Sequence, residues 1–209
     1  MLADARPLLA AAPVIPVLTI KDASVAVPLA RALVVGGLPV IEVTLRTPQA
    51  LSAIREIARE VPEAVVGAGT ITRVEDIQVA TAAGARFLVS PGTPAALAVG
   101  LSSCPVPVLP GCATVTEAMA LAAYGFTALK FFPAEPSGGA AFLKSLSGPL
   151  PGLVFCPTGG IDAAKAPSYL ALANVGAVGG SWVVPDDALA GGDFARITRL
   201  AAEARALRP

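Results

Sequence analysis

The chain has 209 residues, of which 55% are hydrophobic and only 14% charged, so it has ample material for a large core and does not read as a disordered segment. Fifteen basic and fifteen acidic residues cancel, which excludes a net field drawing the chain toward nucleic acid or a membrane surface. It contains no histidine, which removes Ser-His-Asp and Cys-His catalysis, histidine metal sites and imidazole acid–base work, and leaves Lys, Glu, Asp, Tyr and Cys for any chemistry.

Read in order, Met1-Leu2-Ala3-Asp4-Ala5-Arg6 sets an acid beside a lone Arg and leads into no sustained apolar region, so it does not read as a signal peptide. Eight short apolar runs follow, beginning near Val14, Val40, Ala64, Arg86, Val106, Thr127, Leu153 and Val175, roughly 20–26 residues apart. None approaches the roughly 20 residues of a membrane span. Helical stretches separate them. Ala23–Val35 stops at Gly36-Gly37, and Pro48–Glu60 opens on Thr47-Pro48, a cap followed by proline in the first turn. Arg73–Ala83 stops at Gly84, Thr114–Ala123 opens on the capping-box spacing Thr114-x-x-Glu117, and Phe194–Leu207 puts Ile197, Leu200, Ala201 and Ala204 on one stripe. Alternation of strand and helix at this spacing predicts a parallel sheet. Eight units in one chain of this length predict a compact (β/α)8 TIM barrel forming a single domain over residues 1–209. An open doubly wound sheet is the competing layout, but no glycine-rich dinucleotide loop follows the first run. Cys104, Cys112 and Cys156 are odd in number and form no C-x-x-C, so they read as buried thiols in a reducing cytoplasm.

Strands buried on both faces read as continuous apolar runs, so a charge within one stands out. Lys130 interrupts Ala128-Leu129-Lys130-Phe131-Phe132 and Glu42 interrupts Val40-Ile41-Glu42-Val43-Thr44. Alternation sends Leu129 and Phe131 one way and Lys130 the other; likewise Ile41, Val43 and Leu45 point outward and Glu42 inward with Val40 and Thr44. Taken alone, Lys130 reads equally as a lysine snorkelling to solvent and Glu42 as half of a buried structural ion pair. Together they put two titratable groups near the C-terminal ends of different strands, where barrel enzymes carry their chemistry. An amine held among apolar walls and near a cation would lose its proton and become a nucleophile. Arg46 closes the second run with a fork suited to a carboxylate, though such an Arg is often a simple surface charge. Thr70 closes Gly67-Ala68-Gly69-Thr70, whose glycines would admit a ligand close to the backbone. Pro157-Thr158-Gly159-Gly160 and Val178-Gly179-Gly180-Ser181-Trp182 each follow a strand and precede a helix, the position of a barrel phosphate site, although ordinary tight turns also use paired glycines.

With these residues in place the chain resembles the class I aldolases that cleave 2-keto-3-deoxy-6-phosphogluconate, a family also active on 4-hydroxy-2-oxoglutarate. The resemblance rests on Glu42-Val43-Thr44-Leu45-Arg46-Thr47, Val66-Gly67-Ala68-Gly69-Thr70, Ser90-Pro91-Gly92, Leu109-Pro110-Gly111, Lys130-Phe131-Phe132-Pro133-Ala134-Glu135, Phe155-Cys156-Pro157-Thr158-Gly159-Gly160-Ile161 and Gly179-Gly180-Ser181-Trp182. It implies a Schiff base at Lys130, Glu42 as general acid–base, and Arg46 and Thr70 on the pyruvyl carboxylate, with Pro91 and Phe132 shaping the pocket. Thr158, Gly159, Gly160, Gly179, Gly180 and Ser181 would receive the distal phosphate. It further implies a metal-free, cofactor-free homotrimer in the cytoplasm, acting on a small 2-keto-3-deoxy sugar acid phosphate and pyruvate in the Entner–Doudoroff pathway, with no nucleic acid or membrane partner. Two nearby readings keep the chemistry and change the substrate, to 4-hydroxy-2-oxoglutarate or to the galactonate epimer. A third is a barrel that binds a phosphorylated metabolite without chemistry, which would need neither Glu42 nor Lys130 inside.

Overall fold

The computed structural model describes residues 2–207. Eight parallel strands form the sheet: Val14–Leu18, Val40–Thr44, Val65–Gly69, Leu88–Val89, a fifth in two pieces, Ala128–Phe131, Val154–Pro157 and Val178–Gly180. The fifth divides into Val108–Leu109 and Gly111–Cys112 because Pro110, lying between them, has no N–H to give a neighbour. Its carbonyl still accepts from Lys130 N at 3.0 Å, so the fifth and sixth strands stay joined. Each strand pairs with the next, the first also pairs with the eighth through Val14↔Val178, and the bridges Phe155↔Val175 and Thr158↔Gly179 tie the seventh to the eighth. The ring therefore closes as the even spacing of apolar runs predicts, and among the described residues no open sheet edge is left to protect.

Alternation sorts side chains to two cores. Ile15, Val40, Phe87, Val89, Leu109, Ala128 and Cys156 fill the barrel, whereas Val14, Ile41, Val43, Leu129, Phe131 and Phe155 pack outward against the helices. Gly67 has no side chain because the Phe87 ring occupies that volume: a Cβ there would come within 2.4 Å of it. An element ahead of the first strand lies outside the alternation read from the sequence. The helix Arg6–Ala11 inserts Leu8 and Leu9 into the inner core and stops the end of the barrel where the strands begin. It is too short to show a helical period, and only its destination gives its two leucines meaning.

Several boundaries depart from expectation for local reasons. The stretch at 23–35 opens as a 3-10 turn, Ala23–Val25, capped by the Asp22 carboxylate on Ser24 N, before the α-helix Ala26–Val35. The next helix runs over Ala50–Glu60, because the Thr47 hydroxyl donates to the Ile20 carbonyl and caps nothing. The capping box at Thr114 forms as read, with Thr114 Oγ1 accepting from Glu117 N and the Glu117 carboxylate accepting from Thr114 N. The last strand starts at Val178, not Val175, so Gly179 and Gly180 lie within it and do not follow it. No described helix is long and apolar enough to cross a membrane.

Candidate functional site

Lys130 is the third residue of the sixth strand, and its neighbours Leu129 and Phe131 commit it to the inside. Its Nζ lies 3.2 Å from Glu42 Oε1 and 3.5 Å from Oε2, with both side chains 5% exposed. Each charge is compensated by the other, which is what makes two ions tolerable at this depth. The two inward titratable groups thus meet, and the group held against the amine is the carboxylate, not a cation. The glycines read as room for a ligand likewise serve this pair. A Cβ at Gly69 would fall 2.0 Å from Glu42 Oε1, so the missing side chain is the space in which the carboxylate sits.

Around the pair the walls are soft. The Phe132 ring centroid is 5.4 Å from Nζ, within cation–π reach. Cys156 is the register partner of Lys130 on the seventh strand, and burial pushes its thiol up to about 12, so it stays protonated at neutral pH. Cys112 Sγ donates to the Lys130 carbonyl at 3.6 Å, and burial pushes that thiol up to about 12 as well. Neither thiol competes as a nucleophile.

Lys130 opens on a cavity of about 210 Å³ at the C-terminal end of the barrel. Arg46, Phe132, Thr158, Gly159, Gly160, Gly179, Gly180 and Ser181 line it, with the Phe132 ring packed beside Gly159. Glu42 stands behind the amine. Thr70 is absent from the lining but accepts from Arg46 Nε at 3.1 Å, which makes it a support for that guanidinium. It does so at φ +64°, in the left-handed region that a β-branched residue rarely adopts, the kind of local strain that collects at functional sites. Pro91 does not line the cavity. It abuts Gly111, whose Cβ would meet the Pro91 carbonyl at 2.4 Å, so its effect on the site runs through the fifth strand.

The glycine-rich side is shaped by close approach. Gly159 and Gly160 have φ of +104° and +78°, open to glycine without strain. A Cβ at Gly179 would collide with Thr158 Oγ1 at 2.3 Å, and one at Gly180 with the Trp182 ring at 1.9 Å. Val17, Thr19 and Ile161 also line the cavity and were missed. Thr19 could have been found, since it stands two residues after Val17 and so on the same strand face.

Known proteins resemble this chain over nearly its whole length. The family profile described as KDPG and KHG aldolase matches residues 6–200. The KHG/KDPG aldolase of Escherichia coli K12 is 50% identical over 201 residues, covering 96% of this chain and 94% of that one. Among solved structures, the KDPG aldolase of Legionella pneumophila, in which pyruvate was captured as a covalent carbinolamine, superposes with a TM-score of 0.94 at 42% identity, covering 96% of this chain and 97% of that one. The Zymomonas mobilis ZM4 enzyme, solved with 3-phosphoglycerate, superposes with a TM-score of 0.91 at 47% identity, covering 97% and 95%.

Proposed function

This chain belongs to the KDPG and KHG aldolase family, and we propose that its buried amine performs the covalent work of a class I aldolase, cleaving 2-keto-3-deoxy-6-phosphogluconate to pyruvate and glyceraldehyde 3-phosphate. The observation that carries the reading is the Lys130–Glu42 contact of 3.2 Å inside the barrel, opening on a glycine-lined cavity.

Each step needs a base or an acid where Glu42 stands. A proton passing from Nζ to Oε1 leaves a neutral amine and a protonated carboxyl. The amine attacks the C2 ketone, the protonated Glu42 helps expel the oxygen as water, and an iminium forms. That cation draws electrons from the C3–C4 bond as Glu42, now a carboxylate, takes the C4 hydroxyl proton. The bond breaks, the aldehyde leaves, and the electron pair rests as a neutral enamine. Glu42 returns the proton to C3, and water hydrolyses the resulting iminium to release pyruvate and restore the Lys130 ammonium beside the Glu42 carboxylate. Positioned proton transfer of this kind contributes roughly 10²–10⁴ in rate. Arg46, steadied by Thr70, holds the pyruvyl carboxylate, Phe132 shapes the space around it, and Pro91 acts on that space only by abutting Gly111 of the fifth strand. Thr158, Gly159, Gly160, Gly179, Gly180 and Ser181 take the phosphate, which orients the aldol without touching the breaking bond.

The reading treats the whole chain as one domain acting in the cytoplasm, a location supported by three cysteines held as free buried thiols, and in the Entner–Doudoroff route. It includes a homotrimer, supported by Val74, Val79, Val99 and Met119, which stand 45–56% exposed on three consecutive helices, Val74–Ala82, Ala95–Ser102 and Val115–Ala123. A second substrate, 4-hydroxy-2-oxoglutarate, is favoured by the double name carried by the E. coli relative.

Borohydride added with pyruvate tests the chemistry: one reduced pyruvyl group is expected on Lys130 by peptide mass spectrometry. No adduct, or an adduct on Lys21, Lys144 or Lys165, overturns it. The ratio of kcat/KM for phosphorylated and unphosphorylated substrates tests the assignment of the glycine loop.

A further inference from the structure

Behind the glycine loop lies a polar cluster that the bond-breaking chemistry does not use. Glu135, on the loop leaving the sixth strand, accepts the Lys165 ammonium on Oε2 at 2.9 Å and the Tyr169 hydroxyl on Oε1. The same ammonium donates to the Gly160 carbonyl at 2.9 Å. Two further bonds come from the backbone: Ala134 N donates to the Thr158 carbonyl at 2.8 Å and Glu135 N to the Gly159 carbonyl at 3.1 Å. Three consecutive carbonyls of the loop, those of Thr158, Gly159 and Gly160, are thus all drawn toward the 134–135 segment and Lys165.

A trans peptide points its C=O and its N–H in opposite directions. Pulling back the carbonyls of Gly159 and Gly160 therefore turns the N–H groups of Gly160 and Ile161 the other way. Both residues line the cavity, and among the described residues neither N–H meets a protein acceptor. Backbone donors turned inward in succession form an anion cradle.

The cluster also solves a charge problem. Glu135 is packed so tightly on the loop that a Cβ at Gly160 would lie 2.8 Å from its Cγ. A bare carboxylate there would repel an incoming dianion. The Tyr169 hydroxyl and then Lys165 hold the Glu135 carboxyl below the usual carboxylate range, so it is ionised at neutral pH, and the ammonium beside it cancels the charge.

Building on the function proposed above, we infer that Lys165 is a positioning residue for phosphate recognition: through Gly160 it aims the loop amides at a phosphate monoester, and through Glu135 it removes the negative charge behind them. Its ammonium is committed to those two acceptors, so it acts through them and not by touching the phosphate.

Steady-state kinetics on 2-keto-3-deoxy-6-phosphogluconate and its unphosphorylated counterpart test this. Lys165→Met is expected to lower the ratio of the two kcat/KM values about tenfold, chiefly through a higher KM for the phosphorylated substrate, as befits one lost charge-assisted hydrogen bond. Lys165→Arg keeps the charge and is expected to stay within about threefold of the wild-type ratio. The double variant Glu135→Gln with Lys165→Met removes the carboxylate that needed cancelling and is expected to recover about threefold over the single variant. An unchanged ratio in Lys165→Met, or a double variant as impaired as the single one, overturns the inference and leaves the aldolase reading intact. If the wild-type chain itself shows no preference for the phosphorylated substrate, the assignment of the loop fails and takes this inference with it.

Discussion

Replacing Gly69 by alanine is expected to disable the site without altering any residue that meets substrate. The added methyl would be built 2.0 Å from Glu42 Oε1 and 2.6 Å from its Cγ and Cδ. An ordinary contact needs about 3.5 Å, so the carboxylate must retreat by about 1.5 Å. The backbones cannot share that movement, because Glu42↔Gly67, Val43↔Ala68 and Thr44↔Gly69 are successive pairs of one parallel ladder. Glu42 therefore swings, and its 3.2 Å contact with Nζ is lost. Gly69 has no left-handed φ, so the cost arises from the contact and not from the backbone. Misplacing a catalytic group by about 1 Å costs on the order of 10² in rate. Overpacking of this kind costs about 1–3 kcal/mol of stability, or about 2–10 °C in Tm for a chain of this size. The assay pairs cleavage kinetics with exchange of the pyruvate C3 protons for deuterium, which isolates enamine formation. Both rates are expected to fall about 100-fold while the circular dichroism spectrum is retained. A folded Gly69→Ala protein with both rates within about threefold of wild type would refute the claim that Glu42 must sit where it does.

Three further outcomes follow from the same structure. Thr70→Gly relieves a β-branched residue held at φ +64° but deletes the hydroxyl that Arg46 Nε uses at 3.1 Å; Tm is expected to hold or rise by a few degrees while KM for pyruvate rises several-fold, and a variant with both values unchanged contradicts the role given to Thr70. Asp76 is buried, which raises its pKa, yet hydrogen bonds from Thr72 N, from the Arg73 guanidinium and from Arg73 N hold its carboxyl below the ordinary 3.8. A depressed native pKa stabilises the fold above the unfolded value and the benefit disappears as pH falls through the native one, so Asp76→Asn should cost about 1 kcal/mol in urea unfolding at neutral pH, with the gap closing below 3.8; a gap independent of pH would exclude the charge as its source. Cys112 and Cys156, both pushed up to about 12 by burial, should resist thiol reagents at pH 8 until the chain is unfolded, and rapid stoichiometric labelling of native Cys156 would contradict the burial argument.

How far the site could be read beforehand depended on where side chains stand out against their background. In a strand buried on both faces the background is apolar, so Glu42 and Lys130 declared themselves, and a two-residue period was enough to turn both inward. That they come within reach of each other followed from putting both near the C-terminal mouth of one barrel, although they lie 88 positions apart; their direct 3.2 Å contact is set by closure of the ring. Gly69 was noticed for the wrong reason, because a glycine that makes room for a neighbouring strand's side chain and one that makes room for a ligand are identical in sequence. Lys165 carried no local signal: it stands at the start of the helix Ala166–Leu170, and only the fold brings the Glu135 carboxylate, on the loop leaving the sixth strand, to it and to Tyr169. The Arg6–Ala11 plug was invisible because six residues cannot display a helical period. Thr47 was misjudged as a cap because a hydroxyl bonds the acceptor that the fold presents, and here that acceptor is a carbonyl of the preceding loop.

Chemistry and substrate choice rest on separate supports in this barrel, and the separation has a physical origin. Lys130 is tolerated inside because Glu42 answers its charge, and Glu42 fits because Gly69 has no side chain; removing one member of a buried pair typically costs about 3–5 kcal/mol. The central set can therefore change only in concert. On the function and inference proposed above, the glycine loop would meet phosphate through main-chain amides, which are indifferent to most side chains, with its aim governed by residues on its outer side. Side-chain variation at 135 and 165 can retune which distal group is welcome while the 3.2 Å contact at the reactive amine stays as it is. A barrel built this way can accept aldols with different tails through small changes at its rim, because the part that makes and breaks bonds is insulated from them by the width of one loop.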